Sequence, residues 1–335
     1  MMNTTDPNNL KIVKEVNRRG ILFAIAHQPA TSRLFVGASD FMVHDFDVMA
    51  ENPESVEYAG HESYVTGVAL AGKHLVSGGY DGRLIWWDTD TKQPLRSIQA
   101  HTRWIRDVAA TPDGRFVVSV ADDMICRIWD VASGKLIRDL IGHESRTPHH
   151  FPSMLYACAV SPDGRYVATG DRIGKNIVWD LSNGRQLATI ETPIMYTWDP
   201  KARIHSIGGV RSLAFSSDSR LLAVGGMGQV GNIDHLGGLA RVEVFDWQRG
   251  ERTHEFKGDE YNGLVERMVF SAGDKWLLAA GGDNAGFIKF FDIAASKLIK
   301  QDKAPMHVHD LALGDAGETI YAVGHGKTVV WSFAA

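Results

Sequence analysis

Three groups of residues have types and spacings with chemical potential. Gly226-x-Gly228-x-x-Gly231 matches, as a string, the turn on which dinucleotide-binding folds hold a pyrophosphate, and it follows the strand-like Leu221-Leu222-Ala223-Val224. What comes next is Asn232-Ile233-Asp234-His235-Leu236-Gly237-Gly238 and then the alternating Arg241-Val242-Glu243-Val244-Phe245. That reads as loop then strand, without the helix N-terminus that phosphates require, so the glycines read as loop flexibility. His149-His150 with His143, and His307-x-His309, raise metal ligation, since neutral imidazole is a common ligand. Neither spacing forces the rings onto one ion, and no metal or other cofactor is expected. Nucleophile chemistry fares no better: there is no G-x-S-x-G, and no Ser has an evident His and Asp partner. Cys126 and Cys158 lie in apolar runs and read as buried core thiols without a disulfide. No catalytic residue is expected.

The elements that position these residues have to be read from the whole chain. Its 335 residues include 34 Gly, 44% hydrophobic and 22% charged residues, a globular composition rich in tight turns. Lys and Arg number 35 against 40 Asp and Glu, a net charge of -5 that argues against a general phosphate-binding surface. Residues 1–10 are polar without Lys or Arg, and the apolar stretch 21–26 is too short for a signal segment. No run of 18 apolar residues offers a membrane span, so the expected compartment is the cytoplasm.

A repeat dominates the sequence. An aromatic residue, usually followed by Asp, closes a short alternating run at Phe46-Asp47, Trp87-Asp88, Trp129-Asp130, Trp179-Asp180, Phe245-Asp246, Phe291-Asp292 and Trp331-Ser332. The spacings are 41, 42, 50, 66, 46 and 40, a unit of about forty residues with extra length in the middle. One unit shows the internal plan: runs at 105–110, 116–120, 126–129 and 135–140 are separated by turn signals, as four antiparallel strands would be. Thr111-Pro112-Asp113-Gly114 and Ser161-Pro162-Asp163-Gly164 join first to second runs, Pro presetting φ and Gly supplying φ > 0.

This pattern resembles the WD40-repeat family. The residues that carry the likeness are Gly60-His61, Ala100-His101 and Gly142-His143, then Ser77, Ser119 and Thr169, then Asp81 and Asp123, then Trp87, Trp129 and Trp179. The resemblance implies an all-β, seven-bladed propeller with units at 20–58, 59–99, 100–141, 142–191, 192–257, 258–303 and 304–335, one domain over 1–335. It also implies a structural hydrogen-bonded set in each well-formed unit: His61, Ser77, Asp81 and Trp87, and again His101, Ser119, Asp123 and Trp129. The fourth unit departs from the pattern, with Ile173 where the Asp is expected; units one, five, six and seven lack the Gly-His pair. The last unit lacks an outer strand, and the unassigned run 10–16 is expected to complete it.

For function the resemblance implies a non-catalytic scaffold or adaptor that binds a protein or peptide partner. In such a propeller the connections between units and the turns between second and third strands share one face, and every large insertion falls there: 144–153, 191–208 and 226–240. Arg146 and Phe151 in the first and Tyr196, Trp198 and Arg203 in the second are types enriched at interaction hot spots. Alignment of the repeats opens Tyr64, Tyr80, Arg103, Trp104, Arg106, Tyr156 and Arg211 toward the same rim. The plainer reading is that Trp198 and Phe151 only pack their own loops. A propeller enzyme or a small-molecule or metal site in the central channel is one alternative; a nucleic-acid surface over Arg103, Trp104, Arg106, Arg146, Lys201, Arg203 and Arg211 is the other, and the charge balance speaks against it. The chain is expected to be monomeric alone.

Overall fold

The computed structural model of the chain describes residues 5–201 and 203–333, so the outermost positions of the expected 1–335 span lie outside the described residues. Within them the strands form five four-stranded antiparallel sheets, one six-stranded sheet and a separate two-stranded ribbon; the helical segments are three 3-10 turns of three residues. No helix among the described residues is long and apolar enough to cross a membrane.

The third unit shows why these residues choose strands. In Phe116–Ala121 five successive residues, Val117 to Ala121, are buried, whereas the outermost strand Leu136–Ile141 buries Leu140 alone and exposes most of the rest. Burial on both faces suits β-branched residues, and the graded loss of it outward marks a sheet standing radially. The turn Thr111-Pro112-Asp113-Gly114 is held by its own side chains. Thr111 Oγ1 donates to Asp113 Oδ1 at 2.6 Å, the Arg115 N–H donates to the same oxygen at 3.0 Å, and Gly114 takes φ 68°. The Asp after each aromatic does the equivalent work at the other end. Asp130 accepts from Ser133 N at 2.8 Å, and Asp88 from Thr91 N at 2.7 Å, so the aromatic–Asp pair is a strand end plus a turn cap.

Sheets pack face to face around an axis, which makes the core a series of layers between neighbours. Val118, Val120, Cys126, Ile128 and Leu140 of one sheet meet Leu155, Cys158, Val167, Ile177 and Trp179 of the next. Both cysteines are buried and unpaired, and burial pushes each thiol up, which favours the protonated form. The inner strands, residues 22–27, Val65–Ala71, Ile105–Ala110, Leu155–Val160, Ser212–Phe215, Leu264–Phe270 and Val308–Leu313, touch one after another and close a ring. The fold is an all-β propeller.

Its sheets number six, not the expected seven. The units expected at 304–335 and 20–58 are one sheet, ordered Val308–Leu313, Thr319–Ser332, Lys11–His27, Arg33–Ala38, Met42–Asp47, Val56–Ala59. The cause is that two strands each serve two neighbours. Lys11–His27 pairs through 11–17 with Thr319–Ser332 and through 22–27 with Arg33–Ala38, while residues 320–324 pair with Val308–Leu313. Both strands bend at a glycine in the left-handed region, Gly20 at φ 75° and Gly326 at φ 69°. The run expected to supply the missing outer strand thus does so in continuity with the first inner strand.

Removing residues 1–18 would strip the partner from the edge of Thr319–Ser332 and open the ring. The truncated chain is expected to melt well below the full one or to fail to express in soluble form; a superimposable melting curve would refute the closing role of this pairing.

Candidate partner-binding face

Each well-formed sheet carries a buried polar set. His61 Nδ1 lies 2.9 Å from Asp81 Oδ2 and its Nε2 lies 2.8 Å from Ser77 Oγ, to which Trp87 Nε1 donates at 2.8 Å. The next sheet repeats this with His101, Asp123, Ser119 and Trp129, the last donating at 3.0 Å. With neutral imidazole, every proton has an acceptor: Nδ1–H to carboxylate, serine O–H to Nε2, indole N–H to the serine oxygen. Burial would raise Asp123, but the His101 hydrogen bond and the Arg127 guanidinium at 2.9 Å hold it well below the usual carboxylate range. The fourth unit is not defective as its sequence suggests. His143 Nδ1 finds Asp171 at 2.8 Å and its Nε2 finds Thr169 at 2.8 Å, with Trp179 donating to Thr169 at 2.9 Å. The carboxylate comes from the end of the second strand, two positions before Ile173, and reaches the same imidazole nitrogen.

On the face that carries the starts of the inner strands, the rim residues form one connected surface. Phe41, Tyr64, Tyr80 and Trp104 run in a row: Phe41 to Tyr64 at 5.8 Å between centroids, Tyr64 to Tyr80 at 5.8 Å, and Tyr80 stacked on Trp104 at 4.5 Å and 4°. Arg106 fixes the row from beneath, donating to Tyr80 Oη at 2.6 Å and bidentately to Asp122 at 2.9 and 2.7 Å, with its guanidinium over the Tyr156 ring. Arg211 stacks on the other side of that system, 3.5 Å from the Tyr156 centroid. Arg103 is exposed beside Trp104.

The inserted segments join this surface and each other. His149 is sandwiched against Trp198 at 3.6 Å and Tyr196 at 5.7 Å, and Phe151 meets His205 edge-on. Arg172 donates to the carbonyls of Pro152 and Ser206, tying the first insertion to the second; Val230 N donates to Thr197 Oγ1 at 3.2 Å, tying in the third. Residues 191–208 are more than loop, since Tyr196–Asp199 and His205–Gly208 pair as a ribbon. Arg146 spends its guanidinium on the His150 carbonyl at 2.8 Å, and Arg203 pairs with Asp234. Arg146 therefore acts on its own loop and Arg203 ties the second insertion to the third, while Trp198, though stacked, keeps 40% of its surface exposed.

Sequence reasoning missed several residues here. Phe41 occupies the turn position that Gly82 and Gly174 fill in other sheets, and like them it sits in the left-handed region, at φ 74°. Ile204, at the tip of the ribbon, does the same at φ 49°. Both are exposed, by 39% and 70%. The signal for Phe41 was present as a bulky residue after Asp40 in a glycine slot.

Between the inner strands lies a cavity of about 270 Å³ lined in part by Tyr80, Arg106, Tyr156, Arg211, Glu266 and His309. Also in its lining, Arg267 bridges Asp310, at 3.0 Å, and Asp107, at 3.7 Å. Asp310 also accepts from Ile25 N at 2.9 Å and Asp107 from Cys158 N at 3.1 Å, so each carboxylate pins a neighbouring inner strand. At the mouth of the cavity His307 and His309 meet His325, which no spacing in the sequence links to them. Burial pushes His309 down to about 4, His307 and His325 adding to the effect against Glu266.

Radial sheets locked by buried His–Ser/Thr–Trp sets around an axial cavity define a repeat propeller. A family model described as WD domain, G-beta repeat, matches residues 53–88, 92–130, 134–180 and 200–230. Nuclear distribution protein PAC1 of Arthroderma benhamiae is 30% identical over 186 residues, 46% of this chain and 38% of that protein. PAC1-2 of Uncinocarpus reesii is 33% identical over 144 residues, covering 38% and 31%. Transcription initiation factor TFIID subunit 5 of Caenorhabditis elegans is 24% identical over 213 residues, covering 63% and 30%. The chain spans less than two fifths of the length of each of these relatives. It is a WD40-repeat protein, of a family whose members commonly act as scaffolds or adaptors.

Ser77→Ala would leave His61 Nε2 and Trp87 Nε1 buried without a partner, at a cost of about 1–3 kcal/mol. The melting temperature should fall by about 2–6 °C, and an unchanged value would show the set to be dispensable. Acid should also destabilise the fold. His101 and His74 are lowered, burial first, as are His309 and His325, so below pH 6.5 the unfolded chain binds more protons than the folded one at these sites. Their contribution is complete above that pH and is lost on descent; His307, raised by Glu266 against burial, acts in the opposite sense. Melting temperatures measured from pH 7 to pH 5 should therefore decline, and a rise would overturn the balance.

Proposed function

We propose that this chain is a non-catalytic scaffold or adaptor that holds a protein partner on the face surrounding the mouth of the central cavity, with Phe41, Tyr64 and Trp104 as anchors and the inserted segments as flank. The observation that carries the reading is Phe41. A bulky residue in the left-handed region costs roughly 1–2 kcal/mol, and the exposed ring adds an unfavourable contact with water that glycine at this position would avoid. A residue unfavourable to the free chain on both counts is explained by what it touches when bound. Trp104, 49% exposed yet held rigid on Tyr80, has the amphipathic, preorganised character of an interface anchor. Ile204 and Trp198 extend the same apolar character across the ribbon. That one relative is named as a subunit of a transcription initiation factor accords with a role inside an assembly.

The double variant Phe41→Gly with Trp104→Ala removes two exposed rings and relieves one strained backbone position. It is expected to melt no lower than the wild-type chain while losing most of the proteins that the wild type retains in affinity capture from its source cells and that cross-link to this face. Retention of the same proteins by the variant would place binding elsewhere.

A further inference from the structure

We propose that His307, His309 and His325, together with Glu266, form a binding site for a single divalent transition-metal ion, with Zn2+ the ion that the donor set fits best. Three observations converge on it. The ligand atoms of the three imidazoles all lie within 4.8 Å of one another, and the ring centroids are 4.5, 5.0 and 4.9 Å apart. His307 is oriented as a ligand: its Nδ1 is 2.7 Å from the Asp283 carbonyl, which fixes the proton there and leaves the Nε2 lone pair facing the cluster. Nε2 of His307 and Nε2 of His309 are both buried without a hydrogen-bond partner, a cost that a bound ion would remove.

The fold builds this arrangement rather than leaving it to chance. The register of Val308–Leu313 against Thr319–Ser332 slips between Val308 and Asp310, as it does at the same place in five other inner strands, so His309, like Arg106, Tyr156 and Glu266, is the extra residue of a bulge and lines the cavity. His325 is brought in from the turn of the neighbouring strand, where its N–H donates to the His307 carbonyl at 3.1 Å. That approach requires Gly324, since a Cβ there would lie 1.8 Å from the same carbonyl oxygen. Glu266, on the next inner strand, places Oε1 3.7 Å from His307 Nε2. In a tetrahedral zinc site with ligands about 2.0–2.1 Å from the ion, donor atoms are about 3.3 Å apart. The carboxylate and His307 are thus close to the required separation, and His325, the exposed member, is the ring whose rotation would draw the three nitrogens, now within 4.8 Å, together. Three nitrogen donors and one oxygen suit a borderline ion and disfavour Mg2+ or Ca2+, which take oxygen. A metal here would knit the strand that closes the ring to its neighbour.

The test uses the full chain, stripped of metal by chelator dialysis and titrated with zinc sulfate by calorimetry, with Co2+ as a visible-absorption probe of geometry. The expected result is one ion per chain, a melting temperature raised by Zn2+, and a tetrahedral Co2+ spectrum. His325→Ala, which alters an exposed ring, and His309→Ala should each weaken binding at least about tenfold while folding without metal. His149→Ala combined with His150→Ala should bind as the wild type does. Binding below about a tenth of an equivalent, wild-type affinity in either the His325 or the His309 variant, or loss of binding in the His149/His150 variant would overturn the assignment.

Discussion

Every sheet in this molecule depends on the ring being closed, because each inter-sheet core layer has two walls and the last wall is supplied by the first residues of the chain. The pairing of 11–17 with 327–332 provides that wall in hydrogen bonds, and Asp310, accepting from Ile25 N while held by Arg267, provides it again at the axis. Without closure the layer containing Val16, Leu22, Val323 and Val330 would lie open to water. The price is topological: the closing strand is continuous with the first inner strand, which is why two expected units fuse into one sheet.

Closure tells how the ring holds but not how each sheet keeps its register. The buried His–Ser/Thr–Trp sets do that, since each joins the connection before a sheet to its second and third strands, and a one-residue slip would leave several buried polar atoms unpaired. Units without the histidine solve the same problem with other chemistry. In the first, Asp45 takes two bonds from Arg33, each at 2.6 Å, and one from Tyr58 at 2.8 Å; in the fifth, Arg241 pairs with the buried Glu243 at 2.7 Å. Degeneracy in the motif is therefore substitution of one buried polar network for another, and the layers between sheets remain intact.

With the scaffold so constrained, freedom is confined to the ends of the strands. One end has turns closed by their own Asp and Gly or Pro, with little to offer a partner. The other end gathers Phe41, Tyr64, Tyr80 and Trp104, the inserted segments, the cavity mouth and the histidine cluster. The exposed rings of Phe41, Tyr64, Trp104 and Trp198 lie there, and Phe41 and Ile204 combine exposure with a left-handed backbone.

The repeat spacing, the turn residues and the alternation of apolar positions determined by themselves that the chain makes radial antiparallel sheets, because these signals act over a few residues and need no distant partner. The hydrogen-bonded sets around His61 and His101 were legible through the family resemblance, whose Ser, Asp and Trp positions recur at the same spacing in both units. Three things were decided only by tertiary structure. Asp171 serves His143 from a position the repeat alignment does not assign, since a carboxylate must reach an atom and not a sequence slot. The first and last units share a sheet because closure makes residues more than three hundred positions apart neighbours. His325 joins His307 and His309 because a turn one strand away is folded against them, and no local pattern encodes a meeting set by ring curvature and by the absence of a side chain at Gly324.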